Sequence, residues 1–347
     1  MSTIQDVARR AGVSNSTVSN VLNGRTNRMR GDTLARIEAA IEELGFQPNR
    51  AARLLKTGHT PLIGLLVPSI ANPSYAALGQ EVETAARRHG HRVLMGNTHR
   101  SPENEMEFFA DLLSHGARGV IVFSSLLDDS YFQQYVERGL VVVSFDSRPG
   151  HDRTPLVDYV SMDNFVAGRL AVDHLRGFGH SRLAFLSASG QTTSRREKIA
   201  GFLAAAEEAG IADSVQVLSG RTCSEYGDAE MAEVGRALAA EVMAAEALPT
   251  GVVTINDMLA IGFIAGLAER GLKVPDDVSV VGMDNILLAT LVSPPLTSIG
   301  GPLTDMADTM IDRVVQRLAD PGIAPAEFLF APALVPRGSV GPPRPAR

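Results

Sequence analysis

Beyond Pro61, apolar runs of four to seven residues alternate with amphipathic stretches of ten or more, and the pattern runs through two rounds. LIGLLVP (62–68), HRVLMGN (91–97), GVIVFSS (119–125), LVVVSFD (140–146) and YVSMD (159–163) form the first round, with helical spacing near 74–89, 103–115 and 129–138. RLAFLSA (182–188), SVQVLSG (214–220), GVVTIND (251–257) and VSVVGMD (278–284) form the second, with helices near 164–176, 195–209, 225–245 and 258–270. Strands that are apolar along their whole length have to be covered on both faces. Alternation with helices therefore predicts parallel sheets and a two-lobed α/β body. A chain of 347 residues has room for that body and a smaller unit.

In such sheets ligands bind beyond the carboxyl ends of the strands, and the polar residues collect there. They are Ser69, Asn72 and Tyr75 after the first strand, Ser124 and Ser125 after the third, and Asp146, Ser147 and Arg148 after the fourth. Asn256, Asp257, Asp284 and Asn285 hold the corresponding places in the second round. Carboxylates, amides and hydroxyls suit a sugar or polyol, with Tyr75 and Phe145 offering stacking area. Strand-end Asp and Asn also cap helices, so the group is more telling than any member.

The chain gives little sign of catalysis. GQTTSRREK lacks a phosphate loop's Lys-Ser/Thr ending, GLLVPSIANP lacks the spaced glycines of a dinucleotide site, and there is no G-x-S-x-G elbow. The eight histidines include no H-E-x-x-H pair, and the lone Cys223 can form no internal disulfide. No enzyme activity, metal or cofactor is expected. No run of 18 apolar residues suggests a membrane span, and MSTIQDVARR does not read as an export signal, so a cytoplasmic location is expected.

Net charge is −7, but residues 1–60 hold nine Arg/Lys against five Asp/Glu, and the remainder 23 against 34. A basic head on an acidic body suits a protein that offers one end to a phosphate backbone. In that head, Ile4, Val7, Ala8 and Ala11 predict a short helix with Thr3 as its cap and Asp6 in its first turn, ending at Gly12. Ser14 caps a second helix that buries Thr17, Val18, Val21 and Leu22 and stops at Asn23-Gly24. This is a helix-turn-helix pattern. Asn15, Ser16, Ser19 and Asn20 face outward, as a major-groove reader requires. A third helix over about 31–44 closes the core with Leu34, Ile37, Ala40, Ile41 and Leu44. PNRAARLLKTG (48–58) then interleaves Arg50, Arg53 and Lys56 with apolar residues; it reads as a basic linker or as a hinge that folds on DNA.

TIQDVARRAGVSNSTVSNVLNG (3–24) and LGFQPNRAARLLKTG (44–58) resemble the head and hinge of the bacterial lactose-repressor family. Further similar stretches are IGLLVPSIANPSY (63–75), HLRGFGHSRLAFL (174–186), VTINDMLAIGFIAGLAERGLKVPDDVSVVGMDN (253–285), PPLTSI (294–299) and LVPRGS (334–339). The resemblance implies an all-α helix-turn-helix domain (1–46), a hinge helix and linker (47–60), and a periplasmic-binding-protein-like effector and dimerisation domain (61–339). One lobe would hold about 61–160 and 293–321, the other 162–290 and 323–339, and 340–347 would be a disordered tail. It further implies a homodimer on double-stranded operator DNA, controlled by a small effector such as a carbohydrate, with repression the expected direction.

Matched position by position, Asn15, Ser16 and Asn20 would read bases, and Thr17, Ser19, Arg30 and Asn49 would hold the DNA backbone. Ala51, Arg53 and Leu55 would enter the minor groove. Ser69, Asn72, Tyr75, Ser124, Asp146, Lys198, Asn256 and Asp284 would line the effector site. Two departures stand out. Lys198 stands where relatives usually place Arg, which exchanges a planar fork for a point charge and leaves Arg195 or Arg196 as possible substitutes. Arg30 cannot cap the third helix, leaving Asp32 to assist its first turn. The rival readings are a solute-binding protein, which would need an export signal and no DNA head, and an enzyme built on the same lobes.

Overall fold

The computed structural model describes residues 2–22, 26, 29–46, 61–124, 126–149, 155–223, 230–244 and 248–344. Asn49, Ala51, Arg53, Leu55, the whole hinge segment, Ser125 and the Asn23-Gly24 stop lie outside them. The chain divides into two compact units, 1–60 and 61–347.

In the first unit, α1 (Ile4–Ala11) opens on a capping box. The Thr3 hydroxyl accepts from the Asp6 N–H, while the Asp6 carboxylate accepts from the Thr3 N–H at 2.9 Å. Gly12, with φ of 68°, ends the helix in the left-handed conformation that glycine adopts without strain. The Ser14 hydroxyl then accepts from the Thr17 N–H at 3.2 Å at the start of α2 (Asn15–Leu22). α3 (Gly31–Glu43) has no side-chain cap at Arg30 and carries Asp32 in its first turn, as expected. Val7, Ala8, Ala11, Val18, Ile37, Ala40 and Phe46 form the buried core.

The second unit holds two six-stranded sheets. Its first-lobe elements are β1 (Leu62–Val67), α4 (Pro73–Arg88), β2 (Arg92–Asn97), α5 (Pro102–Ser114), β3 (Gly119–Val122), α6 (Gln133–Val136), β4 (Val141–Phe145) and β5 (Asp158–Met162). The second lobe follows with α7 (Asn164–Gly177), β6 (Leu183–Ala188), α8 (Thr193–Glu208), β7 (Val215–Gly220), α9 (Met231–Met243), β8 (Gly251–Thr254), α10 (Asp257–Ala268), β9 (Ser279–Met283), α11 (Leu288–Leu291) and β10 (Thr297–Gly300). The chain ends with α12 (Leu303–Ala319), β11 (Glu327–Phe330) and β12 (Ala333–Val335). Strand order is β11-β5-β4-β3-β1-β2 in one sheet and β12-β10-β9-β8-β6-β7 in the other, parallel throughout except for β12 against β10. Most inner strands, such as β3, β5, β6 and β9, are buried along their whole length, as their unbroken apolar runs require.

The lobe boundaries differ from those implied by the resemblance. β10 pairs with β9, so 293–300 belongs to the second lobe; β11 pairs with β5, so 327–330 belongs to the first. The crossings fall at 163, at 301 and at 331–332. Leu296 and Ile299 are buried, as an inner strand between β9 and β12 requires. The expected disordered tail is also partly built in. Val340 is buried, and the Gly341 carbonyl accepts from His180 Nε2 at 2.8 Å and from the Ser279 hydroxyl at 3.1 Å.

Asp158 ties the first lobe together. Without exposed surface, it accepts from Arg313 and Arg317 on α12, each at 2.8 Å, and from the Ala326 N–H at 3.0 Å. Removing one partner strands buried charge, which costs about 3–5 kcal/mol. Asp158→Ala is therefore expected to lower the unfolding free energy of the body by about that amount in urea titrations; a change below about 1 kcal/mol would contradict this role.

Candidate functional site

The carboxyl ends of both sheets face a shared cleft that is open to solvent. From the first lobe, Asn72, Tyr75, Arg100 and Asp146 reach its wall; from the second come Arg195, Lys198, Asn256 and Asp284. Asn72 and Asn256 both cap and line. Asn72 Oδ1 accepts from the Ser74 N–H at 3.0 Å, and Asn256 Oδ1 from the Leu259 N–H at 2.9 Å. Tyr75 is held by Arg100, whose Nη2 donates to the phenol oxygen at 2.6 Å.

Six of the eight expected effector residues thus meet in one cavity. Ser69 and Ser124 do not line it: the Ser69 hydroxyl accepts from the Ala71 N–H in the turn before α4, and the Ser124 carbonyl accepts from Arg100. Arg195 lines the cleft together with Lys198, whereas Arg196 is exposed. Lys198 Nζ donates to the Ile255 carbonyl at 3.3 Å and stands 3.9 Å from Asp284 Oδ1, while Arg195 Nη1 donates to the Ser189 carbonyl at 2.5 Å. Arg100 and Asn164 were not anticipated. Both stand just beyond strand ends, after β2 and β5, so the rule that selected Asp146 selects them too once applied to every strand.

Asp146 and Asp284 have φ of 59° and 102°, positive values that non-glycine residues seldom adopt. Such strain costs about 1–3 kcal/mol per residue and clusters at binding sites. Burial pushes the Asp284 carboxyl up to about 6, opposed by Lys198 and reinforced by Asp146. Asp257, off the cleft wall, accepts from the Ser298 hydroxyl at 2.6 Å and the Ile286 N–H at 2.9 Å. Its own burial, helped by the neighbouring Asp284 charge, pushes it up to about 8.

On the first unit, Asn15, Ser16 and Asn20 are exposed on α2, and Ser19 is half-buried beside them. Thr17 is half-buried with its hydroxyl 2.8 Å from that of Ser14, and Arg30 is exposed. Among the described residues no group of three His, Cys, Asp or Glu could hold a metal ion, and no helix is long and apolar enough to cross a membrane.

A helix-turn-helix unit followed by a two-lobed body with a polar interlobe cleft defines a ligand-responsive DNA-binding regulator. Residues 3–49 match the bacterial regulatory proteins of the lacI family, and residues 172–340 match the periplasmic binding protein-like domain. The transcriptional repressor PurR of Photobacterium profundum is 32% identical over 98% of this chain and 99% of its own. The ribose operon repressor of Escherichia coli is 30% identical over 98% of this chain and 100% of its own. The lac repressor dimer bound to operator and the anti-inducer ONPF superposes with a TM-score of 0.81 at 26% identity, covering 98% of this chain and 99% of that one. The chain belongs to the lacI family.

The raised carboxyls give stability a definite pH dependence. A buried acid that holds its proton more tightly when folded stabilises the fold fully below its unfolded value, the usual 3.8, and this contribution is lost as pH rises through the folded value. Asp257→Asn should therefore gain stability relative to wild type as pH rises from 4 through about 8. Parallel stability curves for the two proteins in urea titrations across that window would refute the assignment.

Proposed function

We propose that the protein represses transcription by binding a palindromic double-stranded operator as a homodimer, and that a sugar or sugar derivative in the interlobe cleft controls this affinity. The observation that carries the reading is the cleft itself, where Asp146 of one lobe and Lys198 and Asp284 of the other converge on one cavity. Hydroxyl groups donate and accept at the same atom, so a polyhydroxylated ligand can answer carboxylates and an ammonium together. A ligand gripping both lobes biases their relative orientation, and the bias reaches DNA through the segments that join body to head. Similarity to a ribose operon repressor supports the sugar class; a nucleobase corepressor is the second reading, one to which Tyr75 and Phe145 in the wall lend aromatic area.

In the head, Asn15, Ser16 and Asn20 would read base edges, with Thr17, Ser19, Arg30 and Asn49 on phosphates. Ala51, Arg53 and Leu55 would engage the minor groove. A second copy of the chain would cover α11 and its flank, where Leu287 and Leu291 are 75% and 70% exposed, and the edge strand β2, where Leu94 and Met95 are exposed. The lac repressor dimer of the same fold supports that choice of partner.

Three outcomes are expected. Fluorescence anisotropy on DNA selected by the protein should give specific binding that a sugar weakens, and Asn15→Ala should lose about 1–3 kcal/mol of base discrimination. Binding strengthened by a nucleobase would favour the corepressor reading, and failure to select any DNA sequence would overturn the regulator assignment. Leu291→Arg should halve the mass measured in sedimentation; an unchanged mass would remove α11 from the dimer surface.

A further inference from the structure

One residue of the cleft wall has its polar groups only half used. Asn164 opens α7 immediately after the first crossing, lines the cleft, and has no exposed surface. Its Nδ2 donates to Asp146 Oδ1 at 3.0 Å, to the Met162 carbonyl at 3.1 Å and to the Ser161 hydroxyl at 3.2 Å. A carboxylate and a carbonyl accept only, so they fix which end of the amide is nitrogen; an oxygen turned toward them would be repelled. Oδ1 is left as a buried acceptor with no hydrogen-bond partner. Native proteins seldom leave a polar atom in that state, and the exceptions call for a ligand, a water or a functional reason.

We propose that Asn164 Oδ1 and the Asp146 carboxylate, coupled through the Asn164 amide, form a two-acceptor subsite for a pair of adjacent hydroxyls on a polyhydroxylated effector. This rests on the cleft being the effector site. Asp146 Oδ1 accepts from Asn164 Nδ2, and Asp146 stands just beyond β4 with its backbone at φ 59°, so the amide and the carboxylate are held in register. Each ligand hydroxyl donates one hydrogen to this wall and keeps its oxygen as an acceptor for the donors opposite, Lys198 among them. A nucleobase donates through ring and exocyclic N–H groups and has no pair of adjacent sp3 hydroxyls to offer. Oδ1 is closed to solvent in this conformation. Asn164 starts the segment that leaves the crossing, so a ligand that shifts one lobe against the other would change what covers that oxygen.

The test uses the full-length protein in calorimetric titrations with D-ribose, D-glucose, D-xylose, myo-inositol, adenine and hypoxanthine, followed by the monodeoxy analogues of whichever polyhydroxylated compound binds best. Wild type should lose about tenfold in affinity when either of two adjacent hydroxyls is removed. Asn164→Leu should bind the parent about tenfold more weakly and no longer distinguish it from one of those two analogues, while discriminating normally at every other hydroxyl. Asp146→Asn should change discrimination at the neighbouring hydroxyl. Asn164→Ala repeats the cycle if the Leu variant fails to melt cooperatively. A folded variant that weakens the parent and all analogues by one factor overturns the subsite, because a structural role alone gives that pattern. Binding of nucleobases alone, or of no polyhydroxylated compound, overturns it as well. Anisotropy on selected DNA separates the two levels: specific DNA binding without a response to any polyhydroxylated compound removes the subsite and leaves the regulator standing, whereas absence of specific DNA binding removes the regulator reading.

Discussion

The body depends on a contact in which two helices meet backbone to backbone. A Cβ on Gly168 of α7 would lie 2.2 Å from the Lys198 carbonyl, and one on Gly201 of α8 would lie 1.9 Å from the Phe165 carbonyl. Neither position admits a side chain without parting the helices. α7 begins at the first crossing with Asn164, and α8 carries Arg195 and Lys198 into the cleft. The crossing and the cationic wall are therefore fixed to each other, so a displacement at one is transmitted to the other. The first lobe is braced differently, by the buried carboxylate of Asp158 holding α12 against β5 and the segment before β11.

Apart from the Asn164–Asp146 bond beside the first crossing, the direct polar ties between these braced lobes are modest. Arg148, on the loop after β4, reaches Glu327 in its own lobe at 2.6 Å and Glu197 across the cleft at 3.4 Å. Arg148 is a third exposed, and a pair screened to that extent contributes about 0–1 kcal/mol. Burial raises Glu197 while Arg148 lowers it. Ties of this size suit a hinge whose balance a ligand can tip, because a ligand shifts an equilibrium only by its differential affinity for the two states.

Much of this architecture was legible in sequence because covered parallel strands leave an unbroken apolar run, and the nine runs singled out each fall on a strand. Thr3 and Asp6 were legible for a similar reason: a capping box is a local bargain that tertiary context need not complete. Sheet membership was less accessible. PPLTSI and AEFLFAPALV have the apolar content of strands, but nothing in either segment says which sheet has an open edge, so β10 and β11 were placed in the wrong lobes. Val340 was lost in a Pro-rich tail because a single buried valine leaves no periodic signal. Ser69 and Ser124 show the limit of the strand-end rule, since a serine there can serve a local turn or a buried interior as readily as a ligand. Asn164 shows its reach, because its position was readable and the state of its Oδ1 was not.

The head raises a separate physical question, because α2 (NSTVSNVL) carries no charge at all. Groups that read bases contribute little to long-range attraction, and the attraction that brings a protein to DNA comes from cations facing phosphates. Residues 1–60 carry an excess of basic residues, and Arg9, Arg10 and Arg30 lie outside α2 in the same unit, each exposed. Arg10 is paired with Glu43 at 2.7 Å and Arg9 is near Asp6 at 3.5 Å, so part of that charge is already answered within the domain. On the proposed reading, a head of this kind would hold nonspecific DNA weakly and would depend on a second head for affinity. Dependence on two heads would make control from the body physically sufficient: a change that misaligns two weak readers costs more binding than the same change would cost one strong reader.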